Sequence, residues 1–143
     1  MATNYTTNYQ LCQWEATDKV LRTDFNADNQ KIDAALATIP KIAVGTYNGT
    51  GESGSDHPNT LTFDFPPKMV IILQDDPCGL AVGAILLRGQ QYCGGVGMNP
   101  SSNNGLYLAL SWEGNSVSWY NTRNDSTYQL NNVNFSYCYF AIG

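Results

Sequence analysis

The sequence is poor in charge and nearly lacks histidine. Only 13% of its 143 residues are charged, and His57 is the single histidine. Seven basic residues against twelve acidic ones give a formal net charge of -5. Because a negative chain repels phosphate backbones, we expect no nucleic-acid partner. Neutral polar side chains must provide the solubility, as they do in many loop-rich β proteins.

Long apolar runs are also absent. No segment approaches the roughly 18 apolar residues that a membrane-spanning helix needs, so we expect no membrane insertion. The first five residues lack the basic start and apolar core of a secretory signal, so we expect a chain that is made in the cytosol. The cysteines are widely spaced, without a C-x-x-C pair, and predict free buried thiols rather than a zinc site. They are Cys12, Cys78, Cys93 and Cys138.

Catalytic signatures are missing as well. The sequence contains no P-loop, no G-x-S-x-G and no H-E-x-x-H. His57 lies beside Asp56 in a predicted loop, where no rigid frame would hold it near a nucleophile. The acidic residues do not have the spacing of a calcium loop, and none form an evident carboxylate pair across a groove. We therefore predict no enzyme, no catalytic residues, no metal site and no cofactor.

One amphipathic helix is predicted near the start of the chain. Apolar spacings of three, four and seven place it between Thr17 and Ile39, with Thr17 or Thr23 as its cap and Pro40 as its end. The apolar stripe consists of Leu21, Phe25, Ile32, Leu36 and Ile39. Such a short, polar helix needs its stripe buried. The stripe could pack on the β domain of the same chain or form a seam between three copies.

The segments on either side of this helix have different characters. Residues Met1 to Gln13 show no periodicity and predict an extended arm that is ordered only against a partner. From Ile42 onward, short strands alternate with turns rich in Gly and Asn. This pattern predicts a mainly β protein, an antiparallel β-sandwich preceded by an N-terminal α-helix. We divide the chain into an arm and helix over 1-41 and a β-sandwich over 42-143.

The strands are predicted from period-two alternation and from turn residues. They are Gly45–Asn48, Leu61–Phe65, Met69–Leu73, Ala81–Arg88, Leu106–Trp112, Ser116–Tyr120, Tyr128–Leu130 and Val133–Ile142. Between Gln90 and Asn104, several Gly, Asn and Pro residues predict a bent strand that passes into a long loop. The run Met69–Leu73 is apolar on both faces, which suits a strand covered on both sides. Gly49 to Asn59 is rich in turn residues and predicts a mobile loop.

Aromatic residues provide the candidates for ligand binding. Trp112 and Trp119 lie in phase with the aliphatic residues of their strands, which predicts core positions. Tyr120 is out of phase with Trp119, so its ring could stack on a sugar while neighbouring polar groups bind the hydroxyls. The predicted ligand-binding residues are Tyr120, Asn121, Arg123 and Asp125.

Three segments resemble phage proteins. Gly45 to Lys68 combines Gly-x-Tyr-x-Gly, a polar loop, an alternating strand and Phe-Pro-Pro-Lys. It is similar to the repeating pattern of bacteriophage and prophage tail-fibre C-terminal domains and, more loosely, to H-type lectin domains. Phe135–Gly143 resembles the closing strand of those domains. Gln13–Asp33 resembles the N-terminal segment of many phage tail proteins from Gram-positive hosts.

The resemblance implies a structural protein of a virion tail, made in the bacterial host without a signal peptide. Its arm and helix would attach it to other tail or baseplate proteins and join it into a homotrimer. Its β-sandwich would bind a host-surface glycan, with three weak sites acting together by avidity. The alternative is a freestanding H-type-lectin-like carbohydrate-binding module that belongs to no particle.

Overall fold

The computed structural model describes residues 1–75, 82–96 and 107–143. The chain divides into two compact units, residues 1–40 and 41–143. Within the described ranges, no helix has the length and apolar character needed to cross a membrane.

The first unit is a small hairpin beside a helix. The strands β1 (Asn4–Tyr5) and β2 (Cys12–Gln13) pair antiparallel, and α1 spans Arg22–Ala37. The N-cap is Leu21, which has an extended backbone and no side-chain capping bond, so the prediction of a threonine cap is wrong. At the other end the Thr38 hydroxyl donates to the carbonyl of Ala35 at 2.7 Å.

Polar contacts hold the hairpin against α1. Asp28 accepts hydrogen bonds from the backbone N–H of Cys12 at 2.7 Å and from Lys31 Nζ at 3.1 Å. Burial opposes the ionisation of Asp28, but these bonds outweigh it and lower the pKa of the carboxyl. Lys31 Nζ also donates to the carbonyl of Gln10 and lies 5.9 Å from the Tyr5 ring centroid. The predicted arm is therefore folded on the helix of its own unit, and the expectation of an extended arm is wrong.

The second unit is all β. Its strands are β3 (Ile42–Asn48), β4 (Asn59–Thr62), β5 (Met69–Asp75), β6 (Gly83–Leu87), β7 (Tyr92–Val96), β8 (Tyr107–Glu113), β9 (Ser116–Asn121) and β10 (Ser136–Ile142). All pairs are antiparallel, in the order β3-β10-β5-β6-β7-β8-β9-β4. We call β3, β10, β5 and β6 sheet I, and β7, β8, β9 and β4 sheet II. The two sheets pack as a sandwich, which confirms the predicted fold class.

The core lies between the inner faces of the two sheets. Sheet I contributes Val70, Ile72, Ala84, Leu86, Tyr137 and Ala141; sheet II contributes Cys93, Leu108, Val117 and Trp119; the connections contribute Phe63, Phe65 and Leu130. The Tyr47 ring stacks on Tyr137 at 5.1 Å and meets Trp119 edge-on at 6.1 Å. Trp119 is 1% exposed, as predicted. Trp112 is only partly buried, and its ring lies under the Arg88 guanidinium at 5.1 Å.

Several strand predictions need correction or fall partly outside the described ranges. Phe63 and Phe65 are both buried, as the alternation predicted, but β4 ends before them at Thr62. Tyr128–Leu130 forms a turn instead of a strand, with Leu130 at a φ of 61°. Ala81, Leu106 and positions 97–104 of the predicted bent strand and loop lie outside the described residues.

A buried glutamine anchors the loop between β3 and β4. Gln129 Oε1 accepts from the N–H groups of Gly54 at 2.8 Å and Asn121 at 2.9 Å. Its Nε2 donates to the His57 carbonyl at 2.8 Å and to Asn59 Oδ1 at 2.9 Å. These bonds use the full donor and acceptor capacity of the amide. The loop is therefore bonded to the sandwich, and the prediction that it is mobile is wrong.

Asn131 supports the same loop two residues later. Its Oδ1 accepts from the Thr50 N–H at 3.0 Å, and its Nδ2 donates to Thr50 Oγ1 at 2.8 Å and to the Glu52 carbonyl at 2.9 Å. Close packing restricts the loop further, because a Cβ added at Gly54 would clash with Asn124 Oδ1. The φ angle of Gly54 is 93°, which side-chain-bearing residues rarely adopt. Only glycine fits there without strain.

Replacing Gln129 with alanine should destabilise the protein by roughly 2–4 kcal/mol, because it leaves buried N–H and carbonyl groups without partners. Urea unfolding followed by tryptophan fluorescence measures the loss. Gln90→Ala, at an exposed position, is the matched control and should stay within about 0.5 kcal/mol of the wild type. Equal stability of the two variants would show that the amide network does not hold the loop.

Candidate functional site

Two tyrosines face each other across the outer surface of sheet II. Tyr92 on β7 pairs with Ala109 on β8, and Ala109 pairs with Tyr120 on β9. Residues directly opposite in neighbouring strands share a face of the sheet. Because strands lie about 4.8 Å apart, the two tyrosine backbones are roughly 10 Å apart, with only a methyl group between them. This row forms a cleft with aromatic sides and a small floor.

The surroundings of this row are uncharged and rich in hydroxyl groups. The cleft has a volume of about 520 Å³ and is lined by Ser55, Pro58, Gln91, Tyr92, Ala109, Leu110, Ser111, Ser118 and Tyr120. The size falls in the range of small-molecule sites, about 300–1,000 Å³. Tyr92 is 59% exposed and Tyr120 is partly buried, so both rings remain accessible. We call this surface the tyrosine cleft.

Neighbouring contacts order the polar groups of the tyrosine cleft. The hydroxyls of Ser118 and Thr60 are hydrogen-bonded at 2.8 Å across β9 and β4, and those of Ser116 and Thr62 form a second such pair. Ser55 reaches the tyrosine cleft from the loop that Gln129 anchors at the adjacent Gly54. Aromatic faces beside ordered hydroxyls and an amide suit a ligand with both C–H faces and hydroxyls, such as a sugar.

The predicted ligand-binding residues do not form one group. Tyr120 lines the tyrosine cleft, and Arg123 is exposed. Asn121 is fully buried, and its Oδ1 accepts from the N–H groups of Arg123 at 2.9 Å and Asp125 at 3.4 Å. Asp125 Oδ1 likewise accepts from two backbone N–H groups of the following turn. Asn121 is therefore buried and shapes the turn that follows β9.

Sequence reasoning missed most of the tyrosine cleft. Tyr92 and Gln91 lie where a bent strand was predicted, but the sequence did not indicate which residues would lie beside them. Ser118 was detectable in principle, since it alternates with the buried Val117 and Trp119 and so belongs to the outer face. The pairing of Tyr92 with β8 could not be read from the sequence, because a long connection separates these strands.

His57 lies in a different cleft of the sandwich unit, beside the loop between β3 and β4. This cleft has a volume of about 420 Å³, and His57 Nδ1 is 3.6 Å from Glu52 Oε2. Both side chains are more than half exposed, so the pair contributes little to stability. In the described part of the chain, no three His, Cys, Asp or Glu side chains come together as a metal site would require.

The apolar stripe of α1 is exposed within the first unit. The exposed fractions are 59% for Phe25, 42% for Ile32, 59% for Leu36 and 61% for Ile39. The half-buried positions of this helix are Leu21, Asp24, Asp28, Lys31 and Ala35. Leu21 is thus set apart from the other four predicted stripe residues. An apolar groove of about 440 Å³ runs beside Ile32, Leu36 and Ile39.

The cysteines are free at the three positions that the structure describes. Cys93 is buried, and burial raises the pKa of its thiol to about 11. Cys12 is half-buried and Cys138 is exposed. The prediction of buried thiols is therefore confirmed for Cys93 and wrong for Cys138, while Cys78 lies outside the described residues.

Comparison of the chain with protein-family models, with curated proteins and with solved structures finds no match. The case for a function therefore depends on the tyrosine cleft, on the exposed stripe of α1 and on the sequence resemblance.

Proposed function

We propose that this chain is a fibre-like structural protein of a phage tail or tail-like particle that binds a host-surface carbohydrate. The observation that carries the proposal is the tyrosine cleft, in which Tyr92 and Tyr120 flank Ala109 among uncharged polar groups. The assignment to a tail rests on the resemblance of Gln13–Asp33 and Gly45–Lys68 to phage tail proteins.

Carbohydrate recognition follows from the chemistry of the tyrosine cleft. The C–H face of a sugar ring packs on the tyrosine rings, while the hydroxyls of Ser111 and Ser118 and the amide of Gln91 exchange hydrogen bonds with the sugar hydroxyls. Such an open, polar site binds a single glycan weakly by itself. Three copies held together would bind a glycan-coated surface far more tightly than one copy does.

The exposed stripe of α1 supports association into a homotrimer. Phe25, Ile32 and Leu36 are each at least 42% exposed, and fully burying one such side chain contributes about 1.5–3 kcal/mol. Three helices in parallel could cover these side chains at heptad-like positions. The same N-terminal unit would attach the trimer to other tail or baseplate proteins.

A freestanding carbohydrate-binding module is the second candidate. The observation that favours it is that every residue lining the tyrosine cleft belongs to the unit 41–143. Such a module would bind its glycan without any contribution from the N-terminal unit.

Removing either tyrosine side chain should weaken glycan binding. A glycan array identifies a ligand, and calorimetry with that glycan then measures the affinity of Tyr92→Ala and Tyr120→Ala. Losing one stacking contact of about 0.5–1.5 kcal/mol reduces affinity roughly two- to thirteenfold. Tyr107→Ala is the matched control, because Tyr107 is 56% exposed on sheet II but does not line the tyrosine cleft. Equal losses in all three variants would exclude the tyrosine cleft as the site.

A negative charge in the helix stripe should weaken self-association. We expect the wild type to be a trimer by light scattering, and Ile32→Asp to raise the dissociation constant at least tenfold, because an ionised carboxylate is costly to bury. Asn29→Asp introduces the same charge at an exposed position of α1 and should leave the trimer intact. A wild-type chain that stays monomeric at high concentration would remove the support for a trimeric fibre.

A further inference from the structure

The outer face of sheet I is apolar over three successive rows of side chains. The rows, read across β3, β10, β5 and β6, are Ile42, Ile142, Met69, Leu87; Val44, Phe140, Ile71, Ile85; and Thr46, Cys138, Leu73, Gly83. We call this surface the sheet I face. It contains no charged side chain, and the next row, Asn48, Ser136 and Asp75, is polar.

Much of the sheet I face is open to solvent. Val44 is 71% exposed, Ile42 59%, Ile85 43%, Leu73 40% and Leu87 39%. Contiguous apolar patches of this kind usually mark interaction sites on soluble proteins. The sequence of β5 is typical of a strand covered on both sides, yet the described residues of unit 41–143 fully cover only the side that carries Val70 and Ile72.

The dimensions of the sheet I face suit the centre of a stable interface. Four strands about 4.8 Å apart and rows spread over about five residues give a flat extent of roughly 15 by 15 Å. The side chains project from this plane, so their accessible area is larger. A specific interface buries about 800 Å² on each partner, with an apolar centre and a polar rim. The row of Asn48, Ser136 and Asp75 provides such a rim on one side.

We propose that the sheet I face binds a second copy of this chain, as a self-association surface separate from the stripe of α1. Interfaces between identical subunits are more apolar than transient ones and are depleted in charge, as this face is. A partner that binds reversibly would require this apolar surface to be exposed whenever the partner is absent. Another copy of the same chain is present from synthesis onward.

The connection between the two units favours the same occupant. Helix α1 ends at Ala37 and β3 begins at Ile42, and five residues span at most about 18 Å. Copies joined along their helices would therefore hold their β3 strands at a high effective concentration. This second argument rests on the proposed function, whereas the composition of the sheet I face does not.

Self-association through the sheet I face has a consequence for the tyrosine cleft. In a sandwich, the outer faces of the two sheets point in opposite directions. Covering sheet I would leave the outer face of sheet II, with Tyr92 and Tyr120, turned away from the partner copies. Each subunit would then present its tyrosine cleft outward.

The test compares two charge-matched variants of the full chain by analytical ultracentrifugation. Val44→Lys with Ile85→Lys adds two charges to the middle row of the sheet I face without touching the core. Thr60→Lys with Thr62→Lys adds the same charges to the outer face of sheet II. We expect the dissociation constant of self-association to rise at least tenfold in the sheet I variant and to stay unchanged in the sheet II variant. The same difference is expected when each variant also carries Ile32→Asp, which weakens association through the stripe of α1.

Two further measurements keep the result interpretable. Cys138 lies within the sheet I face, so its alkylation should slow as the wild-type concentration rises and should be fast at all concentrations in the lysine variant. Val44→Thr with Ile85→Thr keeps β-branched side chains and should also weaken association. This variant replaces the lysine variant in the test if the lysine variant fails to fold. Glycan affinity per subunit should be unchanged in the lysine and threonine variants of the sheet I face. This result would separate self-association from glycan binding at the tyrosine cleft.

Unchanged association in the lysine and threonine variants would overturn the proposal. An alkylation rate of Cys138 that is independent of concentration would do the same. So would a wild-type chain that remains monomeric but binds phosphatidylcholine vesicles through this face, since the occupant would then be a lipid surface.

Discussion

A single buried amide connects the loop after β3 to the paired strands β9 and β4. The side chain of Gln129 bonds the loop after β3, the end of β9 and the start of β4, and its backbone carbonyl accepts from Trp119 Nε1 at 2.8 Å. A buried polar group is tolerated only when its bonds are made, so the loop and the turn can adopt few other positions. The position of Ser55 at the tyrosine cleft depends on this arrangement.

The two sheets differ most in what they expose. The outward positions of sheet II are mostly Ser, Thr, Tyr and Glu, which are compatible with water and with a polar ligand. The outward positions of sheet I are mostly Ile, Leu, Val, Met and Phe, whose side chains are more often buried than exposed to water. Because both sheets share one core, this contrast cannot result from the needs of folding alone. The two outer faces of this unit therefore differ in chemical character.

Helix α1 also has two sides of different character, one polar and half-buried and one apolar and exposed. Its half-buried side, with Asp28 and Lys31, is joined to the N-terminal hairpin by charge-assisted bonds, while Phe25, Ile32 and Leu36 remain exposed. Apolar periodicity predicted the helix correctly, but it did not predict that a polar side would make the local contacts. A hydrophobic stripe indicates which residues need cover; it does not identify the surface that covers them.

The sequence by itself determined the elements whose signal is local: one helix before Pro40, a series of short strands, and the inward phase of Val117 and Trp119. These follow from the periods of 3.6 and 2 that link side-chain spacing to direction. Only the tertiary structure decided that Tyr92 and Tyr120 meet across Ala109. Strand order and register are set by hydrogen bonds between distant segments and by the packing of one sheet on the other, and neither leaves a periodic trace in the chain.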